Sequence, residues 1–68
     1  MQDKIIEFLK ERYSVEEIPL KSQKHRCCIS PRKTLFWIGE RGTVRVGETL
    51  PGSRNITSYI HERMARKG

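Results

Sequence analysis

The sequence predicts an α+β fold: a three-stranded antiparallel sheet with two helices on one face, in the order α-β-β-β-α. Three observations predict it. Apolar residues recur at helical spacing near both ends of the chain. Between them lie short β-branched and aromatic runs punctuated by Gly and Pro. The turns joining those runs are short, so neighbouring strands must be antiparallel. Such a sheet buries one face, and both helices have apolar stripes to hide against it. The 68 residues amount to one small domain, 1–68. So short a chain buries only about 60% of its unfolded surface, and dimerisation would be one way to strengthen its core.

Residues 2–13 read as the first helix. Ile5, Ile6, Phe8, Leu9 and Tyr13 share an arc of about 160° on the helical wheel, with Asp3, Glu7, Lys10 and Glu11 opposite. Asp3 suits the N-cap, where its charge complements the helix dipole. Ser14 and Val15 lead out. Residues 16–24 read as a connector in which Pro19 keeps Ile18 extended, Ile18 and Leu20 tuck under the sheet, and a polar turn follows. Residues 25–30 make the first strand and 31–33 a turn. Residues 34–38 are the strongest strand, β-branched and aromatic throughout. Gly39 and Gly42 flank a hairpin turn. Residues 43–46 alternate as the third strand, and 47–52 form a loop with Pro51-Gly52 at its tip. Residues 54–66 read as the second helix, with Ser53 as N-cap and Asn55 as the second choice. Ile56, Tyr59, Ile60 and Met64 form its stripe. Arg63, Arg66 and Lys67 crowd its last turn, where cations favour the dipole. Ile29, Leu35, Phe36, Trp37, Ile38, Val44, Val46 and Leu50 complete the expected core.

The hairpin at Gly39 leaves two registers open. A two-residue turn buries Leu35 and Trp37 against the helices and turns Phe36 and Arg45 outward. A three-residue turn buries Phe36 with Val44 and leaves Trp37 and Arg45 outside. A one-residue slip exchanges the faces. In either register a large aromatic shares a face with Arg45, where it could stack on an unpaired base or simply belong to a covered face.

The expected element order resembles that of double-stranded-RNA-binding domains, which are also helix, three strands, helix at similar length. Their second helix opens with a lysine-rich run. Here Ser53-Arg54-Asn55-Ile56 stands in its place. The strands followed by a helix also resemble the small arm-type DNA-binding domains of phage-type recombinases. Both resemblances concern topology and imply a nucleic-acid partner.

Charge points the same way. Residues 1–17 hold five acids against three bases, and residues 18–68 hold eleven bases against three acids, a balance of +8. A basic face on a small module fits a polyanion. The expected contacts are Lys24, Arg26, Arg32, Lys33, Arg41, Arg45 and Arg54, on the sheet rim and strand turns, gripping the phosphates of DNA or RNA. Arginine suits bidentate phosphate contact. Arg54, Ser58, His61 and Arg66 on the outer face of the second helix offer a further way to enter a groove. The competing reading is a generic solvated surface, on a protein-interaction module or a small phage or mobile-element regulator that contacts another protein. Its contact would be the acidic face of the first helix or the uncovered sheet face.

Other classes find little footing. Cys27 and Cys28 are adjacent, which suits neither a disulfide framework nor a zinc site. A strand would send one thiol into the core and the other toward solvent. No metal or other cofactor is expected. No nucleophile, base and acid arrangement and no phosphate-cradling glycine loop marks an enzyme. The N-terminus lacks the basic-then-apolar pattern of a signal peptide, and no apolar run reaches the ~20 residues of a membrane helix. A reducing cytoplasm is the expected compartment.

Overall fold

The computed structural model describes residues 1–21 and 24–67. Helix α1 (Gln2–Tyr13) buries Ile5, Ile6, Phe8 and Leu9, the stripe read from its periodicity. Ser14 ends it in a left-handed conformation, φ 57°, with its N–H donating to the Lys10 carbonyl. Asp3 does not cap the helix. It lies inside the first turn, and Met1 occupies the cap position without a side-chain hydrogen bond.

The sheet has five strands rather than three: β1 (Glu16–Ile18), β2 (His25–Ile29), β3 (Leu35–Gly39), β4 (Val44–Val46) and β5 (Arg54–Asn55), all antiparallel in that spatial order. Helix α2 (Thr57–Lys67) closes the chain. The expected order α-β-β-β-α therefore gives way to two helices flanking a five-stranded meander. Both unforeseen strands are edges, of three and two residues. They exist because their backbones pair with a neighbour, and so short a run carries no period to read. β1 takes residues expected in a connector. β5 takes Arg54 and Asn55 from the expected second helix, which starts at Thr57 instead. The Asn55 side-chain oxygen accepts from the Thr57 N–H at 2.9 Å, so the second choice of capping residue is the one that closes onto α2. Ser53 is diverted: its hydroxyl donates to the Leu50 carbonyl and accepts from Arg45.

Register follows the three-residue alternative. The Gly39 N–H donates to the Thr43 carbonyl at 2.8 Å and the Gly42 N–H to the Gly39 carbonyl at 3.0 Å. Residues 40–42 form the turn, with Gly42 at φ 92°, a conformation glycine adopts without a Cβ clash. Phe36 then pairs with Val46 and Ile38 with Val44, on the face that meets the helices. Trp37 pairs with Arg45 on the other face.

The core joins Ile5, Ile6, Phe8 and Leu9 of α1 to Cys28, Phe36, Ile38 and Val44 of the sheet and Ile60 of α2. Val15, read only as an exit from α1, is buried with them. Tyr13 stacks on Phe36, ring centroids 5.4 Å apart. Two expected core residues are exposed, Leu20 at 39% and Tyr59 at 47%. Ile18, expected beneath the sheet, lies within it and is half-buried. The thiol expectation also fails in part. Cys27 and Cys28 do face opposite ways, but both are buried. The reason is β1: Ile18 pairs with Cys27 from one side and Trp37 from the other, leaving the small side chain between two large ones. No helix among the described residues is long and apolar enough to cross a membrane.

Candidate nucleic-acid interface

The seven candidate cations are divided between environments. Arg32 and Lys33 are exposed in the β2–β3 turn. Arg41 is exposed in the β3–β4 turn, at the opposite end of β3. Lys24 is exposed beside Arg41's end, because β2 begins where β3 finishes. Arg54 is exposed on β5, opposite Val46 and so at the Arg32 end. β3 spans about 16 Å at ~3.3 Å per residue, which separates the two groups.

Arg26 and Arg45 are spoken for. Arg26 lies in register with Ile38, on the helix-facing side. Its guanidinium donates to Glu17 through Nε at 2.8 Å and Nη2 at 2.7 Å, and through Nη1 to Asp3. Those hydrogen bonds hold the carboxyls of Asp3 and Glu17 below the usual carboxylate range and raise Arg26 further above its already high value. Arg26 is thus a latch between α1, β1 and β2 with its charge neutralised. Arg45 donates to the Ser53 hydroxyl at 2.7 Å and the Ser53 carbonyl at 2.8 Å. Its partner Trp37 donates from Nε1 to the Gly47 carbonyl at 2.9 Å. Together they hold both ends of the 47–53 loop against the outer sheet face. A Cβ on Gly47 would meet the Ser53 Cα at 2.7 Å, so the loop closes only with glycine there. The aromatic beside Arg45 is therefore a loop fastener rather than an open platform.

The outer face of the second helix also disperses. Arg54 belongs to β5, and the His61 ring nitrogen Nε2 lies 2.7 Å from the Gly42 carbonyl, to which it donates. Arg66 pairs with Glu62 one turn away at 2.7 Å.

What the fold does bring together is a set of arginines on the helix side. A cavity of about 280 Å³ between α1 and α2 is lined by Phe8, Glu11, Arg12, Arg63 and Arg66. A second groove of about 460 Å³ runs from the end of α1 to the β2–β3 turn, lined by Arg12, Tyr13, Ser14, Ser30, Pro31, Arg32, Thr34 and Phe36. Arg12 belongs to both. Four arginines thus border one adjoining pair of grooves, with Glu11 as the one carboxylate among the described lining residues. Arg63 also lies over the exposed Tyr59 ring, 4.8 Å from its centroid.

Sequence reasoning missed Arg12 because it counted the residue within an acidic segment; it read Arg63 as a dipole partner and Arg66 as both a dipole partner and a groove-facing residue of the second helix, and placed neither beside Arg12. A usable signal was present. Arg12 follows Phe8 by four residues and therefore flanks the apolar stripe, where a long side chain lies along the seam between packed elements.

Lys33 adds a backbone observation. It sits at φ 67°, the left-handed position of a three-residue turn that Gly42 fills in the next hairpin. A side chain there costs about 1 kcal/mol relative to the right-handed region. A cation is held where glycine would be free of strain.

The thiols contribute no reactive centre. Burial pushes Cys28 up to about 11 and Cys27 upward as well, which keeps both protonated. Among the described residues, no three His, Cys, Asp or Glu side chains gather where they could hold a metal ion. Comparison with protein-family models, curated proteins and solved structures finds no match for the chain.

Proposed function

We propose that this protein is a small accessory nucleic-acid-binding module that grips the phosphate backbone of DNA or RNA through arginine and lysine. The observation that carries the reading is the pair of adjoining grooves that share Arg12 and display Arg32, Arg63 and Arg66 with it. Clustered cations that outnumber the carboxylates around them repel one another in the free protein, and a polyanion relieves that repulsion. The strained Lys33 and the exposed Arg41 and Arg54 extend the charged surface at the two ends of the sheet.

Fluorescence anisotropy with random duplex and single-stranded oligonucleotides across a salt series tests it. Log affinity falls linearly with log salt, by about 0.9 per phosphate neutralised on duplex DNA. Replacing Arg12, Arg32 and Arg63 with Gln flattens the slope by about two to three units. Absence of binding at low salt and micromolar protein overturns the reading.

A second reading draws on the outer sheet face. Ile18, Ile29, Leu35 and Trp37 are half-buried there with no helix over them, and Leu20 is exposed nearby. A protein partner or a second copy of the chain would cover that face. Sedimentation of the native protein beside Leu35→Asp distinguishes self-association from a monomer.

A further inference from the structure

The groove at the end of α1 differs from its neighbour in having no carboxylate among the described residues of its lining. Arg12 and Arg32 face it from two elements, the last turn of α1 and the β2–β3 turn. Neither makes an ion pair among the described residues. Ser14, Ser30 and Thr34 add three hydroxyls. Ser30 is poised as a donor. Its Oγ accepts from the Thr34 N–H at 3.0 Å, so one lone pair is used while its proton is left to give. The same turn is fixed by the Lys33 N–H donating to the Ser30 carbonyl at 2.8 Å and the Ser30 N–H to the Thr34 carbonyl at 3.0 Å. The donors therefore sit on a rigid turn at one wall and a helix end at the other.

The donor set exceeds what a backbone phosphate needs. A phosphodiester carries a single negative charge. A terminal phosphomonoester carries about −1.5 to −2 and presents three strong acceptor oxygens. Two guanidinium forks and three hydroxyls match the second better than the first. The volume of about 460 Å³ falls within the range of small-molecule sites and exceeds what a bare phosphate fills. Tyr13, half-buried and stacked on Phe36, completes the lining.

We infer that the Arg12–Arg32 groove is a binding site for the terminal phosphomonoester of a nucleic-acid strand. This rests on the nucleic-acid reading and narrows it: along a strand the groove meets backbone phosphates with the other cations, and at a chain end it takes the terminal phosphate. The same phosphomonoester chemistry also occurs on free mononucleotides, and the experiment separates the two sources.

Affinity is measured for single-stranded oligonucleotides of one sequence carrying a 5′-phosphate, a 3′-phosphate or hydroxyl ends. The native protein binds one phosphorylated form about tenfold more tightly than the hydroxyl form, the value of one charge-assisted hydrogen bond. Arg12→Gln and Arg32→Gln each erase that preference. Arg63→Gln weakens all three oligonucleotides alike and keeps it. Far-UV circular dichroism confirms that each variant is folded. If the native protein binds the three forms equally, the inference is overturned while the nucleic-acid reading stands. If no oligonucleotide binds, a nucleoside monophosphate is titrated against ¹⁵N-labelled protein. Shifts confined to the amides of Ser14, Ser30 and Thr34 keep the phosphomonoester site with a free nucleotide as its ligand. No shifts there overturn it.

Discussion

Helix α1 meets β2 and its flanking turns twice, and the two ends of the helix treat arginine in opposite ways. At the N-terminal end, Asp3 joins Glu17 in holding Arg26, and Gln2 donates from Nε2 to the carbonyls of Lys24 and Ile38. Arg26 is answered twice over there, so the corner is a latch. At the C-terminal end, α1 supplies Arg12 to the groove that Arg32 also lines, and no carboxylate is among the described residues lining it. The lesson concerns placement. One residue type, in one sheet and one helix, becomes a structural tie where a carboxylate is in reach and keeps its hydrogen-bond donors uncommitted where none is.

The contrast between the two ends can be broken most severely at their shared support. Leu9 is fully buried and seats the middle of α1 in the core. Leu9→Ala should cost about 2–4 kcal/mol in chemical denaturation, because removing a large core side chain leaves a cavity. Both ends of α1 should loosen together. A midpoint equal to the native value would show that α1 does not seat both ends through this core.

The next effect separates the ends. Arg12→Gln with Arg32→Gln should flatten the salt dependence of duplex binding by about two units, one for each phosphate no longer neutralised. The melting temperature should stay level or rise, because two unpaired like charges are removed. Arg26→Ala should do the reverse. It should lower stability by about 1 kcal/mol, the scale of a partly exposed bidentate ion pair, and leave the salt slope unchanged. A flattened slope for Arg26→Ala would mean that the latch also binds nucleic acid.

Acid should sharpen the contrast. Asp3 and Glu17 are both held below their ordinary values, first by hydrogen bonds from Arg26. The unfolded chain then binds more protons than the folded one in the acid range. The stabilisation is present in full above about pH 5 and is lost as pH falls through the lowered folded-state values, below about pH 4. Urea midpoints from pH 6 to 2 should fall for the native protein and fall less for Arg26→Ala. Parallel curves would assign the acid sensitivity to other groups.

The smallest expected effect is at Lys33. Lys33→Gly relieves a left-handed side chain and should gain about 0.5 kcal/mol once the extra chain entropy of glycine is counted. If Lys33 touches a phosphate, the salt slope also drops by about one unit. A loss of stability would show that the Lys33 side chain holds the turn.

Much of this molecule was legible residue by residue. The stripe Ile5, Ile6, Phe8 and Leu9 fell on one arc of a wheel and is buried as one face. Residues 34–38 read as the strongest strand, and β3 is the centre of the sheet. The edges were not legible. Glu16-Glu17-Ile18 and Arg54-Asn55 carry no strand composition, and they are strands because β2 and β4 offer them open backbone groups. The candidate site was legible as a surplus of positive charge and not as a place. Arg26 and Arg45, both counted as ligand donors, are held by Asp3, Glu17 and Ser53, partners as distant as 23 residues along the chain.

Sequence alone determined what depends on neighbours along the chain: two amphipathic helices, a β-rich middle, and an excess of cations after residue 17. Turn chemistry at Gly39 and Gly42 narrowed the hairpin to two registers. Only the tertiary structure chose between them, and so decided that Phe36 is in the core and Trp37 outside it. Only the tertiary structure decided which cations are answered. Charge is counted by composition, but its availability depends on which carboxylates, carbonyls and hydroxyls reach it through space, and those distances are set when β1 and α1 close around β2.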